Sequence, residues 1–191
     1  PVDFDTIPEQ LPADMQKYSK MGFTSVFDCG APDFFASIYL GILVNIFHKN
    51  MIKQRFYGSL PVNRDADPSL VIRKLAQYKT NCVELDALVN FNTLKLVLDR
   101  TPDSYSLSNE ILKALCMEAG DKGFNIHIDA IGKNAVFEAI EAIEAVSAAG
   151  YRKSSFTIAH DEVIHSEELA DTNFRQNINE SPGTFDKQDT D

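Results

Sequence analysis

Two hydrophobic spacings alternate along this chain, one close to the 3.6-residue period of a helix face and one of two residues, the period of a strand face. Residues 8–21 carry a short helical pattern that stops at Gly22, and 23–28 (FTSVFD) read as a strand rich in β-formers. After a Cys29-Gly30 turn, Ala31 and Pro32 open an apolar helix that runs to about Asn50. A strand follows over 54–60, then a loop over 61–68. The amphipathic helix over 69–79 offers Leu70, Ile72, Leu75, Ala76 and Tyr78 to the interior. Residues 85–90 and 93–99 are both extended, a pattern that fits a hairpin followed by a core strand.

Leu107, Ile111, Leu115 and Ala119 share one face of the next helix, which Gly120 and Gly123 end. Residues 124–129 (FNIHID) form the next strand. The strongest helical pattern, 132–149, turns Val136, Ala139, Ile140, Ile143 and Val146 inward and Glu138, Glu141 and Glu144 outward; Gly150 stops it, and 154–160 (SSFTIAH) make a fifth core strand. Strands joined by helices of this length run parallel, because each crossover returns the chain to the same end of the sheet. The expected fold is therefore α/β, a run of strand-helix units of the kind that build a TIM-type (β/α) barrel. It occupies residues 1–170, and the polar stretch 171–191 reads as a tail or linker. A whole barrel takes roughly 250 residues, so a chain of 191 predicts a partial one, with two open sheet edges and self-association through them.

Composition narrows the partners. Eighteen basic against 28 acidic residues give a net charge of −10, which repels phosphate backbones and argues against nucleic acid. The longest apolar run, over 34–47, is shorter than the roughly 20 residues that span a bilayer, so no membrane partner is expected. Cys29, Cys82 and Cys116 are odd in number and widely spaced, which suits a reducing, cytoplasmic compartment better than a disulfide framework or a thiolate zinc site. The chain opens on Pro-Val-Asp, with no start methionine or signal peptide, as a processed or trimmed N-terminus would.

In parallel α/β folds chemistry gathers at the C-terminal ends of the strands. Asp28, Asp99, Asp129 and His160 stand at or next to such ends. In TLKLVLD the leucines 94, 96 and 98 lie on one face and suit packing against helices, so Lys95, Val97 and Asp99 face the barrel interior. An interior lysine must be neutralised, modified or paired, with Asp99 or Asp129 as the available partner. The same alternation puts Asn125, His127 and Asp129 together; a lone strand histidine such as His127 is more often a hydrogen-bonded core residue than a metal ligand. His48 and His165 read as surface residues.

The stretch GFNIHIDAIGKNAVFEAIEAIEAV followed by TIAHDEVI resembles the metal-dependent amidohydrolase superfamily, in the branch that reads close to HIHAIGDRAV and then IEHAQ. GFTSVFDCG and LKLVLD are similar to two further strands of that branch. The resemblance runs from about Met15 to Ile164 and aligns this chain with strands two to six of the family's (β/α)8 barrel. It implies one or two divalent metals, zinc foremost, activating a hydrolytic water, with Lys95, Asp129 and His160 at the ligand positions. The family has histidine where this chain has Asp129, and aspartate where it has Lys133. The family's first-strand HxH pair, its eighth-strand aspartate and its β-sandwich find no counterpart here, which makes the chain a partial or degenerate barrel. The implied function is hydrolysis of C–N bonds in amides, cyclic amides or similar small molecules. Two other readings stand beside it: a non-catalytic α/β scaffold or pseudoenzyme built on a Lys95 ion pair, and an enzyme forming a Schiff base through Lys95.

Overall fold

The computed structural model describes residues 6–30, 33–85, 88–100 and 106–159, the side chains of 33–37 excepted. Strands and helices alternate through it: α1 (Ile7–Lys20), β1 (Ser25–Asp28), α2 (Asp33–His48), β2 (Arg55–Pro61), α3 (Pro68–Asn81), a 3-10 turn (Val83–Leu85), β3 (Val89–Asp99), α4 (Asn109–Lys122), β4 (Asn125–Ile131), α5 (Lys133–Ala148) and β5 (Phe156–Ala159). The five strands form one sheet in the order β1-β2-β3-β4-β5, every neighbouring pair parallel. The α/β class and parallel strands expected from the sequence are thus present. Among the described residues no helix is long and apolar enough to cross a membrane.

Because each strand lies next to its predecessor, every crossover steps in the same direction, and the right-handed rule then places the connecting helices on one face. That face holds the core. Leu94, Leu96 and Leu98 of β3 and Ile126, Ile128 and Ala130 of β4 are buried in one cluster with Leu75, Leu115, Ala139 and Ile143 from the helices. The opposite face is open: Phe27, Tyr57, Val97 and Ile131 point there and are 38–43% exposed. Phe27 in β1 and His127 in β4 stand three strand spacings apart, about 14 Å in a flat sheet. Their ring centroids are nevertheless 5.3 Å apart. The sheet therefore curls toward this face into an open half-barrel, and among the described residues β1 and β5 are its two edges.

The hairpin expected before the core strand does not form. Residues 89–99 are one strand, parallel throughout to β2. The register passes from Gly58 opposite Phe91 to Ser59 opposite Thr93, so Asn92 is an extra, bulged residue. A bulge reverses the inside-outside parity: Val89 and Phe91 are buried before it, Leu94, Leu96 and Leu98 after it. In sequence this break in alternation resembles a turn.

Leu70 and Ala76 depart from the expected inner stripe of α3. The helix buries Ile72, Leu75 and Tyr78, while Leu70 is 55% exposed. It starts at Pro68, with the Asp67 carboxylate accepting from the amides of Ser69 and Leu70, which puts Leu70 in the first turn and off the stripe. Gly123, not Gly120, ends α4, in a left-handed conformation (φ 71°). Gly120 is inside the helix, where a Cβ would meet Val146 at 2.5 Å.

Gly58 is a second close-packing glycine. A Cβ there would lie 2.4 Å from the Phe91 ring, which in turn packs on Phe56 and edge-on against Tyr78. Gly58→Ala should therefore destabilise the chain by about 1–3 kcal/mol through overpacking in urea denaturation. Phe91→Leu in the same chain should recover part of that loss; additive effects of the two substitutions would contradict the contact.

Candidate functional site

The bulge fixes which β3 side chains reach the concave face: Thr93, Lys95, Val97 and Asp99. From β4 come Asn125, His127, Asp129 and Ile131, with Lys95 in register beside His127 and Val97 beside Asp129. Lys95 forms an ion pair with Asp129, its Nζ on Oδ1, with side-chain exposures of only 8% and 20%. The His127 Nε2 lies 3.3 Å from the same oxygen, and the His127 ring packs on Phe27. One carboxylate oxygen thus faces two nitrogen groups. A sheltered ammonium costs several kcal/mol unless an opposite charge accompanies it, and Asp129 supplies that charge. Of the two partners the sequence allowed for Lys95, the ion pair uses Asp129.

The other strand ends serve the fold. The Asp28 carboxylate accepts from the Gly30 amide at 3.0 Å, and its backbone carbonyl accepts from the Ser59 hydroxyl at 2.9 Å. Tyr39 of α2 donates to Asp28; burial first, then the Asp28 charge and this hydrogen bond, push the phenol pKa upward and keep it protonated. Asp28 accordingly fastens the turn between β1 and α2. The Asp99 backbone carbonyl accepts from Ser106 at 3.0 Å. His48 is exposed at the end of α2. His160, which follows Ala159 directly in the chain, lies outside the described residues, as do His165 and the 171–191 stretch.

Arg100, which follows β3, is a residue the sequence reading passed over. Its Nε donates to both Glu138 oxygens at 3.1 Å and its Nη2 to Oε2 at 2.7 Å. Nη1 donates to the Ser106 hydroxyl at 2.7 Å and Nη2 to the Leu107 carbonyl at 2.8 Å. The backbone amide donates to the Ile131 carbonyl at 3.1 Å. The hydrogen bond to Glu138 raises the guanidinium pKa further. This clamp ties the approach to α4 onto α5, and it explains why Glu138, expected outward, is half-buried. The partners are 38 residues apart, so no local pattern announces them.

Chemically, the concave cluster offers two donors to a metal, Asp129 and His127, while Lys95 as an ammonium offers none. Among the described residues no group of three or more His, Cys, Asp or Glu is placed to hold an ion. A groove beside the β2–α3 loop, lined by Val62, Arg64, Asp65, Leu70 and Lys74, includes none of the cluster. The three cysteines are free thiols; burial pushes Cys116 up to about 12 and Cys82 up to about 11, and neither lies at the cluster. No protein-family model matches the chain, and no curated protein or solved structure does so either.

If the Lys95–Asp129 pair is sheltered as described, breaking it from one side leaves an uncompensated charge. Lys95→Met or Asp129→Leu should each cost roughly 3 kcal/mol, whereas the two substitutions combined should cost less than either alone. Denaturant unfolding of the three variants reads this out; strictly additive costs would mean that the two side chains do not interact.

Proposed function

We propose that this chain is the strand-two to strand-six part of a TIM-type (β/α) barrel of the metal-dependent amidohydrolase kind, whose reaction is hydrolysis of C–N bonds in amides, cyclic amides or related small molecules. The observation that carries this reading is the meeting of Lys95 and Asp129 on adjacent parallel strands of the concave face. These are the positions that the sequence resemblance aligns with the family's strand-four lysine and strand-five histidine. The next strand in the order, β5, leads in the chain to His160, aligned with the strand-six histidine. The one-directional strand order supports a barrel over a doubly wound sheet, whose order reverses at a switch point.

In such enzymes a bound divalent ion lowers the pKa of a water and polarises the scissile carbonyl. The described residues by themselves do not fit that ion: a hydrolytic zinc centre takes three protein ligands and an open position, and here Asp129 and His127 are two donors with an ammonium on the carboxylate. What these residues do as placed is hold a charge pair on the concave face, with Asp129 positioning the lysine and Phe27 covering His127. The same pair favours the second reading, a non-catalytic scaffold descended from such a barrel.

Zinc separates the two. On the hydrolase reading, calorimetric titration of the whole chain finds weak zinc binding that a chelator reverses. Asp129→Ala and His160→Ala abolish it, and His48→Ala and His165→Ala leave it unchanged. Binding should weaken as pH falls through the histidine range, because a protonated imidazole cannot ligate. An absence of zinc binding in the parent chain and in every variant would favour the scaffold.

A further inference from the structure

We infer that Lys95 is a built-in competitor for a divalent cation at Asp129, not a ligand to it. This rests on the amidohydrolase-type reading of the concave face and gives one of its residues the opposite role. The Lys95 Nζ is on Asp129 Oδ1, and the His127 Nε2 is 3.3 Å from that oxygen. A metal ligated by this carboxylate oxygen would sit about 2 Å from it, within a few ångström of a like-charged ammonium. At such a separation, in a sheltered site, repulsion between like charges is large. The carboxylate is also already satisfied: the ammonium supplies the positive charge that the ion would bring.

The side-chain choices support the assignment. Where the resembling branch has a neutral imidazole, this chain has the anionic Asp129. A carboxylate at this position gives the Lys95 ammonium an opposite charge to pair with, which an imidazole would not. Lys95 is held in place by its surroundings as well, with Pro61 and His127 as its register neighbours on the two flanking strands and only 7% of the residue exposed. The cation is therefore kept at the carboxylate by the fold, and an incoming ion must displace it.

The test is zinc titration by calorimetry on the full chain and on Lys95→Gln and Lys95→Met. Glutamine removes the charge but keeps an amide donor for Asp129, so it decides the matter even if the methionine variant folds poorly. Both variants are expected to bind zinc at least tenfold more tightly than the parent chain, and adding Asp129→Ala to either should remove the gain. Weaker binding by both variants, with Asp129→Ala and His160→Ala still abolishing it in the parent, would make Lys95 a ligand, and equal binding would make it neither ligand nor competitor; in both cases the hydrolase reading would survive and this inference would fall. Bicarbonate that tightens zinc binding by the parent but not by Lys95→Gln would overturn it in the same way, since it would mean that the amine binds carbon dioxide as a carbamate. No zinc binding in any variant would overturn both.

Discussion

A crossover repeated in one direction across five parallel strands governs the rest of this molecule. Each strand lies beside its predecessor, so the handedness of the crossover leaves no freedom about where the helices go. They cover one face, whose side chains are buried almost completely. The other face is left to itself and, as the sheet curls, becomes a concavity. Parallel sheets are normally covered on both sides, and the contact between Phe27 and His127 is how far this one covers its own inner face.

The concave face follows from that curvature. Lys95 is sheltered there because neighbouring strands bend around it, and the shelter makes a charge partner obligatory. Asp129 meets that requirement from the adjacent strand, in a register that puts Lys95 beside His127. Two chemically versatile side chains, Lys95 and His127, therefore converge on a single carboxylate oxygen of Asp129. Their convergence follows from electrostatic necessity whether or not a metal ever joins them, which is why an ion pair in this place is a starting point for hydrolase and scaffold alike.

Two departures from regularity keep the arrangement in place. The bulge at Asn92 switches the parity of β3, without which Lys95 would point into the helix layer and its neighbouring leucines into the concavity. Beyond the end of that strand, Arg100 distributes its donors among Glu138, Ser106 and the Leu107 carbonyl, a planar fork for which lysine is a poor substitute. It anchors the chain where it leaves the C-terminal end of β3, so the strand that carries Lys95 is fixed from its outgoing end.

By itself the sequence determined the alternation of strands and helices, the parallel direction that follows from it and the face on which Lys95, His127 and Asp129 stand, because each of these depends on the spacing of residues near one another in the chain. It allowed either Asp99 or Asp129 as the partner of Lys95, and it read 85–99 as two pieces, since a bulge and a turn interrupt alternation in the same way. Tertiary structure alone decided for Asp129, joined the two pieces into one strand, turned Glu138 from an outward position to Arg100, and brought Phe27 against His127. The physical reason is common to all four: each depends on register or curvature between segments far apart in the chain, and hydrophobic spacing carries no information about which distant segment a side chain will meet.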